Sequence, residues 1–206
     1  MIARHTFSSR AKVANEAASL LYSEQEKEYK QAKLKAAKML GVHVLPSNAE
    51  VADALDKIAE EREGKERKKN LVSKRKEALR IMESLKEMHP RLTGSVWRGT
   101  ANKNSDIDVV AFSNNPDAVL RKLEHCNYKI VGKEWQSVTK HGEEIQTFHI
   151  HLKLSSNIDG EVTIRRLERL HLKEKCEIYG DVQTGLELEQ LERLLETEPT
   201  RKFTPT

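Results

Sequence analysis

Residues 94–112, GSVWRGTANKNSDIDVVAF, place a glycine-containing bend just before two acids at the start of an apolar segment. Alternate side chains of a β-strand project from the same face, so Asp106 and Asp108 lie on one side, about 6.6 Å apart at roughly 3.3 Å per residue. The intervening aliphatic side chains face the other way. The pattern predicts a buried strand over 107–112 that carries two carboxylates on one face.

Two carboxylates at this spacing repel each other, and each raises the pKa of the other unless a cation lies between them. Mg²⁺ favours a few carboxylates together with substrate phosphates and water. The alternative is a pair of solvent-facing acids at the start of a strand. The residues that precede Asp106 and Asp108 favour the metal site.

The glycine bend supplies groups that bind phosphate. Gly94 lets the backbone approach a ligand without a Cβ in the way, and the amides of such a turn can bind phosphate oxygens together with the Ser95 hydroxyl. Arg98 adds a permanent positive charge with a planar set of donors, and Gly99 gives a second bend. A phosphate cradle, a cation and metal-binding acids this close in sequence are typical of phosphoryl or nucleotidyl transfer.

A different phosphate motif, GxxxxGK[ST], can be tested against the same residues. Its two glycines match Gly94 and Gly99, but Thr100 stands where the motif needs lysine. No clear strand precedes Gly94. The sequence therefore excludes a P-loop.

The order and spacing of these residues resemble the signature of the DNA polymerase beta-like nucleotidyltransferase superfamily, and in particular its small stand-alone prokaryotic domains. The resemblance implies a short mixed sheet flanked by helices, two Mg²⁺ ions, and ATP or another nucleoside triphosphate as substrate. Trp97 departs from the pattern, because a smaller residue is commoner there. The residues that carry the resemblance, and to which it assigns the nucleotide and the metal, are Gly94, Ser95, Arg98, Gly99, Ser105, Asp106 and Asp108.

The resemblance also implies a third carboxylate on a later strand. Glu161 opens the apolar segment 161–167, whose aliphatic residues alternate with polar ones. We predict that Glu161 is the third catalytic and metal-binding acid, with Asp159, in a predicted turn, as the second choice. Arg165 shares the face of Glu161 and is a candidate contact for the triphosphate, the alternative being a surface salt bridge.

The first ninety residues predict helices only, because they are rich in Ala, Lys, Glu and Leu. Ser47 and Glu50 form a capping box at the start of one helix. Gly64 breaks the helical pattern, and a further helix runs from about Glu66 until Pro90 ends the pattern. Acids among the basic residues of 65–76 predict a solvated helix face there.

From residue 90 onward the pattern changes to strands and short helices. We predict a strand at 128–131 that Gly132 ends, a turn at His141-Gly142, and an alternating strand at 144–154. His149 and His151 share one face of that last strand, which predicts a polar sheet face, the alternatives being a contribution to the substrate pocket and a metal site.

The fold class is therefore α+β, with a short mixed, mostly antiparallel sheet flanked by helices and an all-helical N-terminal extension. We predict a helical region at 1–89, a nucleotidyltransferase domain at 90–196 and a flexible tail at 197–206.

Composition limits the location and the partners. The net charge of +4, from 36 basic and 32 acidic residues, is too small to predict nucleic-acid binding alone. Cys126 and Cys176 are far apart and form no CxxC motif, which predicts a reducing, cytoplasmic compartment. No apolar run approaches the roughly 18 residues of a membrane span, and the first residues lack the apolar segment of a signal peptide, so we expect no membrane partner.

The predicted activity is Mg²⁺-dependent transfer of a nucleoside monophosphate from a nucleoside triphosphate to an acceptor hydroxyl. In the mechanism that the resemblance implies, Asp106 and Asp108 hold one ion on the triphosphate, and Glu161 helps to hold a second that activates the acceptor. Superfamily acceptors include nucleic-acid ends, small molecules and protein side chains. One alternative is a catalytically weak nucleotide- or RNA-binding regulator, such as the antitoxin half of a toxin pair. Another is a metal-dependent nuclease, which does not need the Gly-Ser cradle.

Overall fold

The computed structural model describes residues 2–140, 143–154 and 158–205. The helices in this part of the chain are α1 (Ile2–Tyr22), α2 (Tyr29–Met39), α3 (Asn48–Ser84), α4 (Gly94–Arg98), α5 (Pro116–His125) and α6 (Leu188–Thr197). The strands are β1 (Arg91–Thr93), β2 (Ile107–Phe112), β3 (Lys129–Lys140), β4 (Glu143–Lys153), β5 (Asp159–Arg165) and β6 (Leu186–Glu187). Among the described helices, none combines the length and the apolar character that crossing a membrane requires.

The six strands form one sheet in the order β3-β4-β5-β2-β1-β6. β2 and β5 pair in parallel, and every other neighbouring pair is antiparallel. This confirms the predicted α+β fold with a mixed, mostly antiparallel sheet. The parallel pair at the centre is important for function because it places the start of β5 beside the start of β2.

The buried apolar residues form two clusters. The first joins α1, α2 and the beginning of α3 through small side chains such as Ala17, Ala36 and Val51, which allow these helices to pack closely. The second joins the rest of α3 to the sheet, α5 and α6. Gly64, with φ 53° and ψ −128°, interrupts α3 between them. The second half of α3 therefore packs with the sheet, although the sequence groups it with the N-terminal helices.

The predicted capping box is present at the start of α3. Ser47 Oγ accepts a hydrogen bond from the Glu50 amide at 3.2 Å, and the Ser47 amide donates to Glu50 Oε2 at 2.7 Å. Arg10 on α1 also donates to the Glu50 carboxylate, and these contacts hold the pKa of Glu50 down to about 2. One carboxylate thus fixes the start of α3 and links it to α1.

Two strand boundaries differ from the prediction. Gly132 lies inside β3 instead of ending it, at a shift in the pairing register between Ile130 and Gly132. The register shift absorbs the glycine, so the strand continues to Lys140. Asp159, predicted in a turn, is the first residue of β5. The turn predicted at His141-Gly142 lies outside the described residues.

The tail after α6 docks on the protein, although the sequence predicts a flexible segment with little to bury. The Phe203 ring packs against the second cluster, and its amide donates to the Arg98 carbonyl at 2.9 Å. Arg75 donates to the main-chain carbonyls of Pro199 and Arg201. The tail is held mainly through its own backbone, and for that reason its side chains give little sign of the docking.

Candidate active site

Three carboxylates meet at the start of the central parallel strand pair. Asp106 directly precedes β2, Asp108 lies in it, and Glu161 is the residue of β5 that pairs with Asp108. One carboxylate oxygen from each residue lies within 4.8 Å of the others. The pairing register therefore brings together the three acids that were predicted from the sequence. Asp159 instead forms an exposed ion pair with Lys153 at 2.7 Å.

The electrostatics of this cluster favour a bound cation. Desolvation, followed by repulsion from Asp106 and Glu161, raises the pKa of Asp108 to about 8. Desolvation and the neighbouring acids also raise the pKa of Asp106. Three oxygen ligands at this spacing fit a hard divalent ion such as Mg²⁺, which would relieve their mutual repulsion.

Glu161 is held by two neighbours on the same face of the sheet. His149 Nδ1 on β4 contacts Glu161 Oε1, and Thr163 Oγ1 donates to the same oxygen at 3.1 Å. Thr147 Oγ1 lies 2.8 Å from the other ring nitrogen of His149. These contacts fix the imidazole of His149 and the carboxylate of Glu161. The sequence predicts that His149 lies on a polar face of the sheet. It does not predict that this side chain contacts Glu161.

Gly94 and Ser95 begin α4, which runs beside β2. Gly94 has φ +66°, and a Cβ there would overlap Oδ2 of Asp108 and lie 2.8 Å from its Cγ. Glycine is therefore required both by the backbone conformation and by the acid packed against it. Ser95 lies half-buried at the same edge of the site. The predicted glycine bend is in fact the first turn of this short helix.

A cavity of about 460 Å³ opens beside the carboxylates. The residues that line it include Gly94, Ser95, Ser105, Asp106 and Asp108. The remaining walls come from the N-terminal helices and from the segment after β5. The residues of these walls include Tyr29, Ala52, Leu55, Asp56, Arg165, Glu174, Lys175, Cys176, Ile178 and Tyr179.

The basic residues that line the cavity differ in their ion pairs. Arg98 donates from both terminal nitrogens to Asp181, at 2.7 and 2.6 Å, and Arg165 pairs with Glu174 at 2.9 Å. Both guanidinium groups thus form part of the wall. Lys175 is exposed and forms no ion pair with any other residue that the structure describes. The two arginines were predicted from the sequence, whereas Lys175 belongs to no motif that could have marked it.

Gly99 does not line the cavity, and Trp97, which does, is otherwise buried in the protein core. A Cβ at Gly99 would lie 2.6 Å from the Arg201 carbonyl, so this glycine makes room for the docked tail. Trp97 is buried in the second apolar cluster, and the Arg98 guanidinium lies 4.1 Å from its ring centroid. The large side chain of Trp97 thus points from α4 into the core and supports Arg98.

The loop between α4 and β2 is held by cations of α3 that the sequence predicted to face solvent. Lys74 is buried, and its ammonium donates to the carbonyls of Asn102, at 2.8 Å, and of Ser105. Arg67 is also buried and donates to the carbonyls of Thr100 and Ala101. Basic residues of the predicted solvated face therefore position the loop that leads into Asp106.

A mixed sheet in which three acids meet beside a glycine-serine helix start defines the class of nucleotidyl-transferring proteins. A sequence model described as "Nucleotidyltransferase domain" matches residues 72–177, just over half of the chain, and this region contains all three acids. The chain belongs to the nucleotidyltransferase domain family. No curated protein matches the sequence.

Several solved structures resemble part of this chain. One is a cytoplasmic RNA terminal U-transferase, at 19% identity and a TM-score of 0.34 over 47% of this chain and 29% of the other. Another is Cid1 in complex with the UTP analog UMPNPP, at 19% identity and a TM-score of 0.32 over 49% of this chain and 32% of the other. The chain spans less than a third of the length of these structures.

Proposed function

We propose that this protein transfers a nucleoside monophosphate from a nucleoside triphosphate to an acceptor hydroxyl. The observation that carries the proposal is the convergence of Asp106, Asp108 and Glu161 within 4.8 Å, where Asp106 and Asp108 line a cavity of about 460 Å³. A metal-binding cluster beside a cavity of this size suits a substrate that brings its own phosphates to the metal.

Asp106, Asp108 and Glu161 would together hold the Mg²⁺ ions. When bound, these ions would lower the pKa of the acceptor hydroxyl and neutralise charge on the reacting phosphate. His149 and Thr163 keep Glu161 in position for this task.

The residues around the start of α4 would bind the phosphate groups of the substrate. Ser95 and the neighbouring main-chain amides donate to phosphate oxygens, and Lys175 supplies a mobile positive charge. Arg98 and Arg165 add positive charge from fixed positions in the wall. The acceptor oxygen bonds to the α-phosphorus as the bond to pyrophosphate breaks, and the acceptor proton is released.

The test is to incubate the protein with each α-³²P-labelled nucleoside triphosphate, Mg²⁺ and three acceptor pools: total RNA, a small-molecule extract and protein. We expect label on one pool, and we expect Asp106→Asn and Asp108→Asn to abolish it while thermal unfolding shows an intact fold. Asp117→Asn, on the first turn of α5, is the control. Equal transfer by Asp106→Asn and the wild type would refute the proposal, as would RNA cleavage without transfer or nucleotide binding without turnover.

A further inference from the structure

The cavity lining combines two kinds of chemistry. Asp106, Asp108 and Ser95 contribute carboxylates and a hydroxyl. Aliphatic and aromatic side chains are contributed by Tyr29 and Leu55 from the N-terminal helices and by Ile178 and Tyr179 from the segment after β5. A nucleoside triphosphate has the same division, with a charged tail and a flat, largely apolar base.

Both tyrosines offer neutral rings. Burial, with a smaller effect of Cys176, raises the pKa of Tyr29 to about 12, and burial also raises the pKa of Tyr179. The Arg98 guanidinium lies 5.2 Å from the centroid of the Tyr179 ring. Arg98, itself fixed by Asp181, therefore holds Tyr179 in place, and uncharged rings of this kind stack on nucleobases.

Polar contacts connect the N-terminal helices that line the cavity to the rest of the site. Asn48, at the start of α3, donates to the Glu177 carbonyl at 3.1 Å and accepts from Lys33 on α2 at 2.7 Å. Asp56 on α3 binds Arg67 at 2.6 Å and Lys202 of the tail at 2.6 Å. The first half of α3 is thus tied to the segment after β5, to the second half of α3 and to the tail.

We propose that the N-terminal helices complete the nucleoside subsite, and that the base stacks against Tyr29 and Tyr179 while the triphosphate reaches the carboxylates. The inference rests on the proposed function, because it takes the cavity to hold a nucleoside triphosphate. It assigns the helical region a direct role in substrate binding. The competing arrangement is an acceptor molecule bound against Tyr29 and Tyr179.

The experiment measures binding of two kinds of probe in Mg²⁺: the α,β-methylene analogues of ATP, GTP, CTP and UTP, and inorganic tripolyphosphate, which has no base. Tyr29→Ala and Tyr29→Leu should weaken the best-bound analogue about five- to hundredfold, the value of one stacked base. Tripolyphosphate should bind them as it binds the wild type. Tyr29→Phe keeps the ring and should bind both probes normally.

Tyr128→Ala is the matched control, because Tyr128 is a half-buried tyrosine that packs on the second apolar cluster away from the cavity. Tyr29→Leu keeps an apolar side chain in the wall, so it tests stacking if Tyr29→Ala unfolds. Unchanged analogue binding by Tyr29→Leu would overturn the inference, as would an equal loss of tripolyphosphate binding. A wild type that binds neither probe would instead refute the proposed function.

Discussion

Gly94 stands directly against the carboxylate of Asp108. A Cβ on Gly94 would overlap Oδ2 and lie 2.8 Å from Cγ of that residue, and its φ of +66° already disfavours any other amino acid. The glycine bend proposed to bind phosphate and the acid proposed to bind metal are therefore one packed unit. Neither can move without displacing the other.

Gly94→Ala should displace the Asp108 carboxylate and reduce nucleotidyl transfer by about a hundredfold or more, the usual effect of a 1 Å misplacement in an active site. Gly41→Ala is the control, because Gly41 also has φ +66° but has open space where a Cβ would lie. Both substitutions share a cost of about 1 kcal/mol in the free energy of unfolding for the positive φ, and Gly94→Ala adds the overlap with Asp108 to it. Equal activity of the two variants would show that the contact with Asp108 is unimportant.

The metal-free protein should lose stability as the pH rises. Asp108 has its pKa raised from 3.8 to about 8, so between these values the folded state binds more protons than the unfolded state, and the free energy of unfolding falls with increasing pH. In EDTA, Asp108→Asn should therefore have a Tm a few degrees above that of the wild type near pH 8, with the two converging near pH 4.

Thermal unfolding across this pH range checks the prediction, with Glu124→Gln as an exposed-acid control on α5. Saturating Mg²⁺ should raise the Tm of the wild type by mass action and leave that of Asp108→Asn nearly unchanged. Parallel Tm profiles for Asp108→Asn and the wild type in EDTA would contradict the raised pKa of Asp108.

His149 should control how well Glu161 serves as a ligand. His149→Ala removes the group that contacts Glu161 Oε1, and outer partners of a metal ligand typically change metal affinity or activity by 10- to 100-fold. We expect the Mg²⁺ concentration for half-maximal activity to rise by about that factor. His149→Asn, whose amide nitrogen can take the place of Nδ1, should restore most of the affinity.

His151→Ala is the matched control for this series, because His151 lies on the same face of β4 but meets exposed Glu134 at 3.5 Å. The Mg²⁺ dependence of the rate separates positioning of Glu161 from a general loss of folding, which would lower the rate at every Mg²⁺ concentration. An unchanged Mg²⁺ requirement in His149→Ala would show that His149 does not position Glu161.

The local parts of the site could be predicted from the sequence because their signals are local. The alternation at 107–112 gives the strand and the shared face of Asp106 and Asp108, and the opening of β5 by an acid gives Glu161. What links them is the pairing of β2 with β5, which depends on the whole sheet. The sequence does not contain that register in any one segment, and the family resemblance supplied the expectation of a third acid.

The buried cations of α3 were missed for a different reason. Lys74 and Arg75 have main-chain carbonyls as their hydrogen-bond partners, and any sequence supplies those, so no acid marks their contacts. Arg67 adds the carboxylates of Asp56 and Glu60 to its carbonyl partners. One signal was present: these residues share the helical face of the buried Leu71 and Ala78, at spacings of three, four, seven and eight. Basic residues that share a helical face with buried apolar residues are predicted to be buried. The prediction of a solvated face came from the number of charged residues in the segment.

Arg75 should contribute more to stability than any exposed basic residue of α3. Its fully buried guanidinium donates to the carbonyls of Val96 and Trp97 in α4 and to those of Pro199 and Arg201 in the tail. Arg75→Met should leave these carbonyls without a donor. We expect a loss of about 3 kcal/mol in the free energy of unfolding, since hydrogen bonds to charged groups are individually worth about 1.5–3 kcal/mol.

Urea unfolding measures that loss, and digestion by carboxypeptidase reports whether residues 198–205 have been released. Arg80→Met on the same helix is the control, because Arg80 is exposed and pairs only at the surface with Glu77, which predicts a change below about 0.5 kcal/mol. The Arg75 variant should also lose tail residues faster than the Arg80 variant. Equal stability and equal digestion of the two would mean that the tail is held by Phe203 and Arg98 without help from Arg75.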